Sequence, residues 1–555
     1  MTVSPANNYN PETIIIMSYK TNQMKRSKRT GWLRLLTVGL VPLLAIALIS
    51  CDLGDFGDMN ENPTQSTELD DRFLLTTVQK GYSGQRGWIS RVNIIYGANM
   101  VQHTTGGTGT GDIYSLNRSF AEDLWVKMYS SGWEATVRNV QDMLYTLREK
   151  QEAGENVDNR MGVARILRAF TFQRLTDVYG DTPYFEAGLG FHEGIFTPRY
   201  DPQQDIYDDL FSELEQAVNQ IGAPTENDYG AADLLFEGNL DQWRRFGNSV
   251  RLRLAMRLVK VDPDRAQAEA QAAINHPAGV MQSNDDMWIF PHEEGPNLHA
   301  HTNANAEHYV VNDNYWLSQF FVDWMQQYDD PRLTIFGAVV NPDGSINEVP
   351  AAQIGRPSGW SAGELESHPR FPGDVEAYTR IHPRFKTLTA PSIWFSYAEV
   401  EFMLAEAEVR WGISPLSAEE HYNRGVEAAM TMLSTYGGDT DISQSEIEDY
   451  LANNPFNLTG SEEQQIEQIN EQYWAATWQN GVEAWINYRR TGYPAIELAP
   501  VDNPDPHPAS DTGGMIPSRM TVPEDEALLN ASNFEEMMNR QGPNTLTTRM
   551  WWDVE

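Results

Sequence analysis

Apolar positions along most of this chain return every three or four residues, the spacing of one face of an α-helix. From Asn159 to Val178 the stripe is Ala164, Leu167, Ala169, Phe170, Phe172, Leu175 and Val178. It ends at Tyr179-Gly180-Asp181-Thr182-Pro183, where Gly180 suits the position after a helix and Pro183 a hard stop. The same period predicts helices over Gln203 to Ile221, Leu240 to Val259 and Asp262 to Ile274. Ser392 to Trp411 and Ser417 to Tyr436 form a pair joined through Gly412 to Pro415, and Glu462 to Trp485 reads as one long helix. Paired helices with short turns predict a mainly α chain built on a tetratricopeptide-like helix-hairpin scaffold, without a visible consensus repeat. Gly-, Pro- and Asn-rich stretches lie between the helical blocks, at Gln102 to Asn117, Asn275 to Asn314, Val339 to Pro391 and Pro500 to Pro523. Loops this long are functional or disordered more often than not, and binding residues favour loops on a rigid scaffold.

One apolar run breaks the helical period. Leu35 to Ile49 spans 15 residues behind a basic cluster of Lys25, Arg26, Lys28, Arg29 and Arg34. That length suits a signal peptide and is short for a membrane-spanning helix. Leu48-Ile49-Ser50 then precedes Cys51, the only cysteine of the chain. The arrangement reads as a bacterial lipoprotein processing site, with cleavage before Cys51 and lipid on its sulfur. An anchor helix with an incidental cysteine is the plainer alternative. The expected division is a signal peptide over residues 1–50, with Met24 as the natural start, a lipidated flexible tether over 51–66 and one domain over 67–555. Each buried CH₂ contributes about 0.8 kcal/mol and stable anchoring needs more than one acyl chain, which a multiply acylated cysteine supplies. A single cysteine forms no intrachain disulfide, so stability must come from the core.

The formal net charge is −38. After residue 50 there are 34 basic against 77 acidic side chains, a surface that repels nucleic acid and anionic headgroups. It suits a neutral or cationic ligand, or simply solubility. The chain holds 16 Trp, and these divide by position. Trp125, Trp133, Trp243, Trp474, Trp478 and Trp485 fall at helical spacings and are expected in the core. Trp88, Tyr114, Trp288, Trp316 and Trp360 fall outside the stripes. They are the candidate ligand-contacting rings, because ring faces give large contact area at low entropy cost.

No catalytic pattern stands out. His292-Glu293-Glu294 lacks the second histidine of a zincin motif, and there is no nucleophile elbow or P-loop. Gly106-Gly107-Thr108-Gly109-Thr110-Gly111 lacks the phosphate-loop spacing and reads as a flexible loop on a binding face. His292, His299, His301 and His308 share one loop; His299-x-His301 is a metal-ligand spacing, but a polar loop near a site is the plainer reading. Asn312-Asp313-Asn314 offers oxygen ligands for Ca²⁺ without EF-hand spacing. No cofactor is therefore expected, with Ca²⁺ the one ion worth testing.

Several segments, taken in order, resemble the SusD/RagB family of outer-membrane nutrient-binding lipoproteins, in particular its starch-binding, outer-membrane-associating branch. Asn60-Glu61-Asn62-Pro63 follows the lipid cysteine. Leu167-Arg168-Ala169-Phe170 runs to Gly180-Asp181-Thr182-Pro183-Tyr184, and Ile206-Tyr207-Asp208-Asp209-Leu210 follows. Trp243 to Ser249 leads into Arg251-Leu252-Arg253-Leu254-Ala255-Met256-Arg257. Tyr397-Ala398-Glu399-Val400, Leu404-Ala405-Glu406-Ala407, Arg489-Arg490-Thr491-Gly492 and Trp551-Trp552-Asp553 complete the series. Each motif alone is weak; their order is specific. The resemblance implies about four tetratricopeptide-like helix pairs and a large, irregular, loop-rich ligand-binding half. It implies an outer-membrane location, lipid-anchored and facing the cell exterior. It implies a TonB-dependent transporter of SusC type as partner, with the lipoprotein as a lid that captures an oligosaccharide or peptide without catalysis. A surface glycoside hydrolase and a purely assembly lipoprotein are the rival readings. The motif residues Arg168, Asn248 and Arg251 read as buried polar anchors rather than ligand contacts.

Overall fold

The computed structural model describes residues 70–106, 110–130, 132–294, 301–341, 343–361, 363–496 and 510–554. Cys51, the signal segment, the tether and His299 lie outside them.

Six helices follow one another and each packs on the next: α1 (Asp71–Ser83), α2 (Thr136–Glu152), α3 (Asp158–Tyr179), α4 (Gln203–Gln220), α5 (Leu240–Arg257) and α6 (Pro263–Ile274). Two shorter helices, α7 (Ala304–Val311) and α8 (Gln319–Gln327), sit among the strands. Then come α9 (Tyr397–Trp411), α10 (Ala418–Thr431), α11 (Gln444–Asn453), α12 (Glu462–Ala476), α13 (Gly481–Thr491) and α14 (Ala531–Gln541). Helix α9 joins the two blocks by packing on α5, α10 and α12. The architecture is mainly helical, with the tetratricopeptide-like arrangement of successive packed helices.

Helix ends follow the local chemistry. Ser396 and Ser417 close capping boxes with Glu399 and Glu420. Such boxes satisfy two backbone donors that the first turn leaves open. Gly180 ends α3 at φ 82°, where its N–H donates to the Thr176 carbonyl.

Two helix boundaries differ from expectation. Ser392–Phe395 is a strand, β7, and α9 begins only at Tyr397. Four residues rich in β-branched and aromatic side chains serve a strand equally well, and pairing with β2 (Trp288–Phe290) decides it. The helix expected over Glu462 to Trp485 is two helices. Gln479 takes φ 72°, and a Cβ on Gly481 would lie 2.2 Å from the backbone nitrogen of Ala98. The backbone of the Ile89–Ala98 helical segment comes against Gly481, so the chain breaks there to admit it.

The other strands form a five-stranded sheet in the order β1 (Thr104–Gly106), β3 (Tyr315–Leu317), β6 (Arg380–Ile381), β4 (Gly337–Val340) and β5 (Ile346–Asn347). β1, β5 and β6 come from stretches read as irregular loops, while β3 and the start of β4 lie just outside them, so the loops share a small scaffold with their flanks.

The core contains a charge network, and the sequence motifs supply it. Arg253 and Arg257 of α5 reach Glu399 of α9 and Glu483 of α13 at 2.7 and 2.5 Å. The Tyr473 hydroxyl lies within hydrogen-bond distance of both carboxylates. Arg490 grips both oxygens of Glu406 at 2.7 Å. Arg489 lies over the rings of Trp485 and Trp552. Arg168 donates to the Tyr184 hydroxyl, Asn248 to the Gly279 carbonyl and Arg251 to Glu269. These residues pin the helices to one another and to the loops beside them, the anchoring role expected of them, and buried charges are tolerated only when paired in this way.

Candidate functional site

Three of the five candidate rings are part of the core. Trp88 and Trp288 are fully buried. They share an aromatic cluster with Tyr82, Phe170 and Trp394, at ring separations near 5 to 6 Å. Arg174 lies over Tyr82, Trp88 and Trp394 at 4.2 to 4.9 Å. Neither tryptophan offers a face to a ligand, which corrects their assignment. Trp288 escaped the helical stripes because it lies on a three-residue strand, and Trp88 because it lies in a short helix running into an irregular helical segment. Tyr114 is also fully buried; it sits at φ 53° where a short 3-10 turn ends, and its carbonyl accepts the Asp511 N–H. It too is corrected to a core position. By contrast Trp125, Trp243, Trp474, Trp478 and Trp485 are buried as expected.

Trp316 and Trp360 are brought together elsewhere. Side chains alternate across a strand, so Tyr315 and Leu317 of β3 turn into the core while Trp316 turns to the opposite face. The 354–378 stretch covers that face. Trp360, Leu365 and Tyr378 form a second, smaller apolar cluster separate from the main core, with Trp316, Ile354, Phe371 and Val375 packed on its edge. Trp316 and Phe371 are half-buried and present surface, whereas Trp360 and Tyr378 form the backing.

Polar groups orient this cluster. The guanidinium groups of Arg356 and Arg380 lie 5.0 and 5.1 Å from the Trp316 ring. Arg356 also donates to the Thr105 hydroxyl at 3.1 Å and to the Trp360 carbonyl at 2.7 Å, so one buried side chain fixes both tryptophans. Burial lowers its pKa, with Asp112 opposing. Asp112 accepts from the Thr105 hydroxyl and the Gly106 N–H, and burial raises its pKa. Gly106 is required here: at φ 104° a Cβ would lie 2.9 Å from the Trp316 ring. The buried polar atoms Trp316 Nε1, Ser358 Oγ and Tyr378 Oη have no hydrogen-bond partner among the described residues. Unsatisfied polar groups beside half-exposed rings are the usual composition of a polar-ligand site.

The surrounding charge is unlike that of the whole chain. Residues 356–386 hold five Lys or Arg and four Asp or Glu, so this stretch is close to neutral within a strongly acidic protein. Tyr378, Phe371, Arg356 and Arg380 were not singled out in the sequence. Their signal was compositional, a loop with several aromatic and cationic residues and no helical period.

The histidine loop is structural where it is described. His292 Nε2 lies 2.7 Å from Ser392 Oγ, and burial pushes its pKa down to about 4. His308 is likewise pushed down to about 4 by burial. Among the described residues no group of three His, Cys, Asp or Glu side chains converges as a metal site. Asp313 pairs with Lys386. An open cleft at the start of α5 is lined by Pro224, Phe236, Glu237, Asn239, Asp241 and Asp285. It has one aromatic ring and no second ring to stack a ligand.

The family of SusD-like proteins described as "Starch-binding associating with outer membrane" matches residues 63–523. The chain belongs to this SusD-like family. Among solved structures, a chitin-binding protein is 33% identical, with a TM-score of 0.75 over 88% of this chain and 100% of its own. A Bacteroidetes SusD-like protein is 26% identical, with a TM-score of 0.74 over 88% of this chain and all of its own. A chitin-binding SusD homolog from Flavobacterium johnsoniae is 22% identical, with a TM-score of 0.70 over 87% and 99%, and shows the shared fold. No curated protein sequence matches.

Proposed function

We propose that this SusD-like protein captures an oligosaccharide at the Trp316–Trp360 cluster and hands it, unmodified, to a TonB-dependent outer-membrane transporter. The observation that carries the reading is a pair of tryptophans held by one buried arginine on a loop-covered sheet face, outside the main core. Rings and unsatisfied polar groups, with cations offset by neighbouring carboxylates, suit a neutral sugar chain. A structural relative 33% identical is a chitin-binding protein, which favours chitin-type oligosaccharides, built of N-acetylated sugars. In this reading Cys51 carries the lipid, residues 51–66 give reach, and the protein sits on the exterior face of the outer membrane.

Two or three stacked rings with hydrogen bonds give micromolar affinity, about −8 kcal/mol. The test is calorimetry of residues 52–555 against chitin, starch and xylan oligosaccharides and against cationic peptides, with product analysis. Saturable binding of one glycan class, without new products, supports capture. Binding of peptides alone would shift the cargo class. Release of shorter sugars would replace capture with hydrolysis.

A further inference from the structure

The turn between α9 and α10 holds a serine, a histidine and a glutamate in line. Ser414 Oγ lies 2.5 Å from His421 Nε2, and His421 Nδ1 lies 2.6 Å from Glu401 Oε2. The Tyr397 hydroxyl donates to the other Glu401 oxygen at 2.5 Å, so the carboxylate is held from both sides. His421 and Glu401 are buried, while Ser414 is half-exposed beside exposed Gly412, Pro415 and Ser417. Ser414, His421 and Glu401 belong neither to the aromatic cluster nor to the sequence motifs that pin the helices, although Tyr397 opens one of those motifs.

A carboxylate on Nδ1 fixes the proton there and leaves Nε2 bare to accept from the serine hydroxyl. That is the arrangement that activates a serine nucleophile, recognised by geometry and roles rather than by order in the chain. The turn runs into the N-terminus of α10, whose positive dipole end favours negative charge developing nearby. Its capping box uses the N–H of Glu420, and the same first turn carries the Glu419 and Glu420 carboxylates. Glu408 accepts the Ser414 N–H at 2.8 Å, which fixes the backbone of the turn and places a negative charge beside it. With this carboxylate at its rim, the site favours a neutral or cationic acyl donor.

We infer that Ser414, His421 and Glu401 form a second, esterase-like site that accepts acyl groups from neutral or cationic esters. Ser414 Oγ bonds to the acyl carbon as its proton passes to His421 Nε2. The carbon–oxygen bond to the alcohol breaks, and the alcohol leaves with that proton. Water, deprotonated by the same nitrogen, then splits the acyl-serine and returns the free serine with a carboxylic acid. Glu401 is a positioning residue.

The test uses a fluorophosphonate probe on the folded chain, with the labelled residue located by peptide mass. The Oγ–P bond forms, the P–F bond breaks and fluoride departs, so labelling reports the nucleophile directly. Labelling should fall on Ser414 and run roughly a hundredfold faster than on the unfolded chain, the scale of general-base assistance. Ser414→Ala should abolish it with unchanged glycan binding. Glu401→Gln should slow it at least roughly tenfold, and Glu401→Asp should recover part of the rate. Circular dichroism and glycan affinity confirm that each variant is folded. Labelling elsewhere, no labelling, or a Ser414 rate equal to that of the unfolded chain would each overturn the inference. Because the readout is covalent and local, its failure leaves the glycan-capture reading untouched.

Discussion

Replacing Glu406 by glutamine should cost this protein more stability than removing any surface ion pair. Glu406 lies on α9 with 1% of its side chain exposed, as does Arg490 of α13. Arg490 reaches its two oxygens at 2.7 Å each, Arg410 adds a contact at 2.8 Å and Asn470 one at 3.2 Å. Burial alone would raise the Glu406 pKa, yet the two arginines hold it well below the usual carboxylate range. Glutamine keeps the shape but leaves the Arg490 guanidinium buried without its counter-charge. Breaking a buried pair on one side costs about 3–5 kcal/mol. With an unfolding entropy near 2 cal/mol/K per residue, a domain of roughly 480 residues loses about 1 °C per kcal/mol, so Tm should fall by about 3–5 °C. Differential scanning calorimetry at pH 7 measures it. The double variant Glu406→Met/Arg490→Met should recover more than half of the loss, because a well-packed apolar pair replaces the ions. A drop below about 1 kcal/mol in Glu406→Gln, or no recovery in the double variant, would refute the view that the motif charges are mutual structural anchors.

Other consequences are equally direct. His292 and His308 are pushed down to about 4 and His103 to about 3 by burial, so each stays neutral in the fold and charges more readily once unfolded. A depressed histidine pKa gives stability that is full above about 6.5 and lost as pH falls towards 4, so Tm should decline across that window and His292→Gln should flatten the decline. Ser396→Ala removes one capping box and should cost about 1 kcal/mol in chemical denaturation, with glycan binding intact. Gly106→Ala forces a Cβ into the Trp316 ring at positive φ, and should weaken glycan affinity several-fold while barely changing far-ultraviolet circular dichroism.

Much of the scaffold was legible because it rests on local chemistry. The Asn159 to Val178 stripe became α3 almost residue for residue, since its apolar face, its glycine stop and its proline all point the same way. The Ser392 to Phe395 segment was not legible. Four residues carry too little period to separate strand from helix, and only the partner β2 settles it. The break before Gly481 is set by a backbone approach from Ala98, nearly four hundred residues away in sequence. The site shows the same divide. Falling outside a helical stripe marked Trp316 and Trp360, but it marked the core rings Trp88, Trp288 and Tyr114 as well. Separating them needs the tertiary packing: strand alternation turns Trp316 outward, whereas Trp88 at the end of a short helix and Tyr114 after a 3-10 turn are buried by segments distant in sequence. Tyr378 and Arg356 were missed because their importance lies in what they hold, not in any spacing.

The most direct measurement is the affinity of residues 52–555 for a chitin-type oligosaccharide, compared with the Trp316→Ala variant. Wild-type protein should bind with a Kd in the micromolar range, and loss of one stacking ring should weaken it by about 1 kcal/mol or more, at least five- to tenfold, with Tm nearly unchanged. Equal affinity in the variant would contradict capture at the Trp316–Trp360 cluster.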